Sequence, residues 1–289
     1  MSQFNEYSRL RQVAVRRPEN AFVDKDRIDS QWQALRFHEA PDIDQASDEF
    51  VNFIQMLTCL GAEILTLPGE SNLTLDSIYP RDSNIVSPKG LILCNMGRAS
   101  RTPEAAINGQ FYVSNGHTIA GEIVAPGTLE GGDFIWIDER HAAVGRGPRT
   151  NDEGIAQLRR ILGEEVDLKV VQLPDPAHPD DVLHLMSVIS PLDKDLALVY
   201  RPLIPDDFAD WLAHLGIVLL EVPEEEYIPM GCNVLAIAPR QVVMLENLPR
   251  VKTQLTAAGC RVLTYKGIEI SRKGEGGPTC LTRPLIRSD

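Results

Sequence analysis

One pattern recurs along the chain: an amphipathic helix, a glycine, and an apolar strand that often ends at proline. It is explicit in DEFVNFIQMLTCLGAEILTLP (Asp48–Pro68). There Phe50, Phe53, Ile54 and Leu57 fall at helical spacing, and Gly61 closes the helix before the strand. It returns in NDEGIAQLRRILGEEVDLKVVQLP (Asn151–Pro174), where Asn151 is the expected N-cap, and in DDFADWLAHLGIVLLEVP (Asp206–Pro223). A fourth copy is PRVKTQLTAAGCRVLTY (Pro249–Tyr265), with Pro249 suited to a first helical turn. A weaker one starts with TPEAAINGQFYVSNG at Thr102 and runs through TIAGEIVAP to Pro126.

Between the copies stand paired β-rich runs joined by short polar turns: IVSPKGLILCN, FIWIDERHAAVG, MSVISPLDKDLALVY and NVLAIAPRQVVML. Each reads as a hairpin. Hairpin, helix and strand therefore repeat about five times, a unit too long for most solenoids and suited to a closed ring in which each unit covers its neighbour's apolar face. The strand near the N-terminus (Arg11–Pro18) and the last one (Thr279–Leu285) are expected to meet and close it. The expected fold class is α/β, a five-fold pseudo-symmetric propeller of ββαβ units, forming one catalytic domain over residues 1–289.

The repeat makes scattered polar residues comparable. Asp82, His184 and Cys280 each lie 21 residues beyond a helix-ending glycine, respectively Gly61, Gly163 and Gly259. Asn233 lies 17 beyond Gly216, in a shorter connection. Equivalent positions in a ring converge on its axis, which would gather a carboxylate, an imidazole and a thiol. Gly276, Gly277 and Pro278 precede Cys280 in EGGPTCLTR and restrict how it is presented. A nearby base or cation is what a thiol needs to ionise near neutral pH. Glu130 and Asp133, on the Gly-rich segment PGTLEGGDFIW, are acids able to grip a cation and orient an imidazole. Arg101 and Arg149 are able to clamp a carboxylate. His38, His117, His141, His178 and His214 have no such context.

Charge and cysteine usage narrow the class. A net charge of −13 disfavours nucleic acid and anionic membranes as partners and suits a small cationic substrate. The five cysteines are odd in number, widely spaced and without a C-x-x-C pair, against a disulfide framework or zinc site and for a reducing compartment. MSQFNEYSRLRQ has no apolar core of a secretory signal, and no run reaches membrane-spanning length, so the expected location is the cytoplasm.

D-S-x-x-P-R-D, P-G-T-L-E-G-G-D, R-T-N, H-L and G-G-P-T-C, in that order from about Gln12 to Ile286, resemble the guanidine-modifying superfamily. That group holds arginine deiminases, dimethylarginine dimethylaminohydrolases and amidinotransferases. The resemblance implies the pentein fold, a five-fold α/β propeller, and no metal or organic cofactor. It implies Cys280 as nucleophile, His184 as general acid and base, and Glu130 as its orienting partner. Asp82 would bind the guanidinium, Asp76 the amino-acid end, and Arg101 and Arg149 the substrate carboxylate. Asp133 and Asn233 fall in matching segments without an assigned role. Met186 stands two residues after His184, where arginine deiminases usually carry aspartate, and an apolar neighbour there favours N-methylated arginine. Arg81, beside Asp82 in the substrate-binding segment, points the other way, since deiminases carry arginine there. The chain is also short for a deiminase with its additional helical domain. The expectation is a dimethylarginine hydrolase, with an arginine deiminase or dihydrolase as the alternative. An amidinotransferase and a non-catalytic binding relative stand behind these, and a homodimer is left open.

Overall fold

The computed structural model describes residues 3–175 and 183–288. Its strands form five three-stranded sheets. In the first unit, β1 (Leu10–Val15) is followed by the short helices α1 (Pro18–Ala21) and α2 (Lys25–Gln31), then α3 (Ile43–Thr58) and β2 (Glu63–Thr66), which pairs with β1 in parallel. The second unit runs β3 (Asn84–Ser87), β4 (Gly90–Leu93), α4 (Pro103–Ser114) and β5 (Ile119–Glu122). β3 and β4 form an antiparallel hairpin, and α4 returns the chain so that β5 lies parallel to β4. A parallel neighbour requires such a crossover, whereas the hairpin needs only a tight turn.

The same order recurs in β6 (Phe134–Trp136), β7 (His141–Arg146), α5 (Asp152–Leu162) and β8 (Asp167–Gln172). It recurs again in β9 (Ile189–Asp193), β10 (Leu196–Val199), α6 (Asp206–His214) and β11 (Val218–Glu221), after which a short α7 (Glu224–Tyr227) intervenes. The last unit is β12 (Leu235–Ala238), β13 (Gln241–Leu245), α8 (Pro249–Ala257) and β14 (Arg261–Tyr265). β15 (Arg283–Arg287) then pairs antiparallel with β1, completing the first sheet with the other end of the chain. The expected ring of ββαβ units is the observed fold.

Local chemistry explains the punctuation. Gly61, Gly116, Gly163, Gly216 and Gly259, which follow the crossover helices, all have φ between 78° and 90°, a region closed to most side chains. Asn151 caps α5 by accepting from the Gly154 N–H at 2.8 Å, and Pro249 opens α8. α3 buries Phe50, Phe53 and Leu57 toward the core, with Phe53 4.9 Å from the Tyr265 ring of β14. Each such side chain contributes about 1.5–3 kcal/mol by leaving water.

Three boundaries differ from the sequence expectation. β1 ends at Val15 rather than Pro18, because Pro18 instead opens α1 at its first turn. α3 begins at Ile43, five residues before Asp48, because Asp42 caps it by accepting from the Gln45 N–H at 2.9 Å. The last strand starts at Arg283 rather than Thr279. Gly277 and Thr279 carbonyls accept from the N–H groups of Leu281 and Thr282, so the residues around Cys280 form a turn. No helix among the described residues is long and apolar enough to cross a membrane. His178 lies outside the described residues.

Candidate active site

The five turns that lead into the first strand of each hairpin, and into β15, meet around one cluster. Asp82 lies on a 3-10 turn (Pro80–Ser83) before β3, and Glu130 precedes the turn Gly131–Asp133 before β6. His184 opens the turn Leu185–Ser187 before β9, Asn233 precedes β12, and Cys280 precedes β15. All five are buried or nearly so. The turns at matching intervals thus bring Asp82, His184, Asn233 and Cys280 together, and the Gly-rich segment completes the ring of turns. Asp133, 17 residues beyond Gly116, repeats the Gly216–Asn233 interval, a signal present in the sequence.

His184 is held from both sides. Its Nε2 is 2.7 Å from Glu130 Oε2, and its Nδ1 faces Asp82 Oδ1 at 3.8 Å. Asp133 fixes the turn beneath it, with Oδ1 accepting from the Leu185 N–H at 3.0 Å and Oδ2 from the Thr150 hydroxyl at 2.7 Å. Burial opposes a charge on His184, but Asp82, Asp133 and Glu130 outweigh it and raise the imidazole to about 9. Burial likewise opposes ionisation of Glu130, yet the His184 hydrogen bond and charge, with Arg149, hold it below the usual carboxylate range. Gly132 has no side chain because a Cβ would sit 2.5 Å from Asp82 Oδ1 and 2.9 Å from the imidazole.

Cys280 accepts from Asn233 Nδ2 at 3.4 Å, while Asn233 Oδ1 accepts from the Thr279 N–H at 3.0 Å and hydroxyl at 2.8 Å. Asn233 therefore orients the thiol's turn and touches its sulfur, a role the sequence left unassigned. Gly277 packs against that asparagine, and Gly276 against the Tyr79 ring, so the glycines let the thiol loop approach closely. Burial pushes the Cys280 thiol above 9.0, and the Asp82 charge adds to that, against the Asn233 and Thr279 hydrogen bonds and the Arg81 charge. The other cysteines, Cys94, Cys232, Cys260 and exposed Cys59, are also free thiols.

Arg101 is placed differently from the carboxylate-holding role expected of it, and Arg81 spends donors away from the substrate contact expected of it. The Nε–Nη2 edge of Arg101 is spent on Glu104 at 2.7 and 2.8 Å, and Nη1 reaches Asp82 Oδ2 at 2.5 Å. It anchors Asp82, leaving Oδ1 of that aspartate buried and without a hydrogen-bond partner. Arg81 donates through Nε to the Thr279 carbonyl at 2.9 Å and pairs with Glu6 at 3.2 Å, which supports the thiol loop from behind. Arg149 is buried beside Glu130 at 3.5 Å. Arg98, which belongs to none of the sequence motifs, pairs with Asp76 at 2.8 Å and donates its backbone N–H to Glu130 at 3.0 Å. It follows β4 in an unremarkable polar stretch, where nothing in the residue pattern marks it.

Two connected chambers share Cys280 and His184. The smaller, about 40 Å³, is lined by Asp76, Asp82, Arg98, Arg101 and Arg149. The larger, about 410 Å³, has an apolar wall of Met186, Tyr227, Ile228, Pro229 and Met230. The smaller chamber is thus rich in paired charge, whereas the larger combines an apolar wall with Arg81, Arg272 and Glu275. Asp82, Glu130 and His184 place ligand atoms within 4.8 Å of one another, the only grouping among the described residues able to hold a metal ion. His184 already bridges the two acids, and Arg101 and Arg149 balance their charge, so the donor set fits an imidazolium better than a metal.

A ring of five ββαβ units with a thiol, an imidazole and carboxylates on its axis defines an enzyme of the guanidine-modifying superfamily. A family model for eukaryotic N,N dimethylarginine dimethylhydrolase matches residues 17–287. The uncharacterized protein YkgA of Bacillus subtilis is 30% identical over 284 residues, covering 98% of this chain and 94% of that protein. N(G),N(G)-dimethylarginine dimethylaminohydrolase of Pseudomonas aeruginosa is 27% identical over 248 residues, covering 84% of this chain and 89% of that enzyme. An arginine deiminase of Mycobacterium tuberculosis is 30% identical over 245 residues, covering 73% of this chain and 60% of the deiminase. In structure, the Pseudomonas aeruginosa enzyme solved with citrulline superposes with TM-score 0.77 at 23% identity, over 97% of this chain and 100% of that one. An amidinotransferase of Microseira wollei gives 0.80 at 18% identity, over 100% and 97%. The chain belongs to the N,N-dimethylarginine dimethylhydrolase family. It is an amidine hydrolase that acts on a guanidino group.

Proposed function

We propose that the substrate is an N-methylated arginine, hydrolysed to citrulline and dimethylamine through a covalent intermediate on Cys280. The observation that carries this reading is the apolar wall beside the reacting groups. Met186 and the Tyr227–Met230 segment offer methyl groups a dry surface and offer an unsubstituted guanidinium few acceptors. The zwitterionic end of the amino acid suits the other chamber, with Arg98 and Arg149 for its carboxylate and Asp76 for its amine. The buried, unpartnered Oδ1 of Asp82 suits a guanidinium N–H.

The chemistry follows from these charges. Before substrate binds, burial and the Asp82 charge favour the protonated thiol. A guanidinium bound beside Asp82 offsets that negative field, and the thiol proton leaves to solvent. The thiolate forms a C–S bond to the guanidinium carbon. His184, protonated at neutral pH, gives its proton to the dimethylamino nitrogen as the C–N bond breaks. A thiouronium remains on Cys280. Neutral His184 then takes one proton from an attacking water, and the second is carried away on the amine. The C–S bond breaks, and the thiolate and the ureido group of citrulline result. Glu130 keeps the imidazole oriented through both steps.

The test is to supply asymmetric dimethylarginine and arginine separately and to measure citrulline with dimethylamine or ammonia. Citrulline and dimethylamine in equal amounts support the proposal. Ammonia from arginine with no dimethylamine from the methylated substrate replaces it with the deiminase reading.

A further inference from the structure

A third cavity carries more positive charge than its surroundings balance. It is lined by Arg81, Arg283 and Arg287 together with Glu6, Phe134 and Trp136, and Arg81 is the one residue it shares with the reaction chambers. The three arginines are 1%, 4% and 4% exposed. Arg283 and Arg287 lie four apart on β15 and so share a face of the strand. Among the described residues, Glu6 is the only carboxylate that lines the cavity, and it pairs with Arg81 Nη1 at 3.2 Å.

The remaining donors are specific. Arg287 gives Nη1 to the Ser8 and Ala236 carbonyls at 2.6 and 2.9 Å, and its Nε and Nη2 have no hydrogen-bond partner. Arg283 gives Nη2 to the Arg81 carbonyl while Nε is unpartnered, and Arg81 Nη2 is unpartnered as well. Nε and Nη2 together are the edge of a guanidinium that holds a planar oxyanion with two parallel bonds. Buried guanidinium groups without counter-charge are costly to the fold.

We propose that this cavity binds a small monovalent planar oxyanion of the carboxylate or nitrate type. The anion lies on the Nε–Nη2 edge of Arg287, with Arg283 Nε and Arg81 Nη2 as further donors. The cavity, about 30 Å³, has room for about two water-sized groups, which matches the size of formate or nitrate. Burial, with the neighbouring Arg81 charge, lowers Arg283 and Arg287 to about 10, so both remain cationic near neutral pH. The bound anion stands behind the thiol loop, because Arg81 also holds the Thr279 carbonyl. It is distinct from the substrate carboxylate in both place and partners.

Thermal unfolding of the whole protein in sodium formate, against sodium gluconate at equal ionic strength, tests this. Formate is expected to raise Tm saturably above gluconate. Arg287→Met should abolish that difference, whereas Arg98→Leu, in the substrate chamber, should keep it. Glu6→Gln removes the competing carboxylate and should lower the formate midpoint by about tenfold, equivalent to about 1.4 kcal/mol. Equal Tm values in the two salts overturn the proposal. So does a formate response that survives Arg287→Met or disappears in Arg98→Leu. Should Arg287→Met fail to fold, Glu6→Gln decides alone, and an unchanged formate midpoint there overturns the proposal.

Discussion

Gly132→Ala adds one methyl group where the acid, the base and the substrate site meet. The new Cβ would lie 2.5 Å from Asp82 Oδ1 and 2.9 Å from Cγ and Nδ1 of His184, whereas ordinary contact begins at 3.4 Å. Relief therefore requires about 0.9 Å of movement at the carboxylate and about 0.5 Å at the imidazole, displacements comparable to the roughly 1 Å misplacement that costs about 10²-fold in rate. The backbone cannot easily move instead, since Gly131 is pressed against the Arg81 and Asn84 carbonyls. We expect kcat to fall by about 10²-fold, about 2.7 kcal/mol in the barrier. Overpacking should lower stability by about 1–3 kcal/mol. Steady-state citrulline formation and thermal unfolding separate the two effects. Gly116→Ala is the control: its φ is 87° and no atom lies near the added Cβ, so it should lose stability but keep kcat. A folded Gly132→Ala enzyme within about threefold of wild-type kcat refutes the reasoning, since such a loss is far below the hundredfold expected of misplaced reacting groups.

Glu130→Gln should lower kcat on the order of 10²-fold by removing the partner that orients and charges His184. The wild-type pH–rate profile should decline as pH rises through about 9, and in this variant the decline should move to lower pH. An unmoved limb contradicts the assignment. The same ion pair affects stability. His184 rises from 6.5 to about 9 on folding, so its contribution is complete below pH 6.5 and is lost as pH rises through about 9. The denaturation midpoint of wild type relative to His184→Gln should narrow over that window, and a constant gap argues against a raised imidazole. Met186→Asp should restore acceptors for an unsubstituted guanidinium. Its kcat/KM ratio of arginine to dimethylarginine should rise by about tenfold or more, and an unchanged ratio removes Met186 from substrate choice.

The fold was legible because the unit repeats: the glycines after the crossover helices needed the same backbone conformation, and the apolar spacing was helical before each of them. The equal intervals to Asp82, His184 and Cys280 then carried the site, since equivalent turns meet on the axis. What spacing could not convey was where long side chains spend their donors. Arg101 and Arg81 sat in the right segments, but Glu104 and Glu6, distant or unremarked in sequence, claimed their guanidinium groups. Arg98 was invisible for the converse reason: its importance rests on Asp76 across a turn. β15 starts later than its composition suggests, because Thr279–Leu285 is strand-like in sequence while the preceding Gly-Gly-Pro imposes a turn.

The central claim is a covalent bond between Cys280 and a guanidinium carbon. Acid quenching during turnover of dimethylarginine, followed by peptide mass analysis, tests it directly. The account predicts a thiouronium adduct on the Cys280 peptide that appears before citrulline accumulates and is absent from Cys280→Ser, which should not turn over. Turnover by Cys280→Ser at the wild-type rate, or an adduct on another residue, contradicts it.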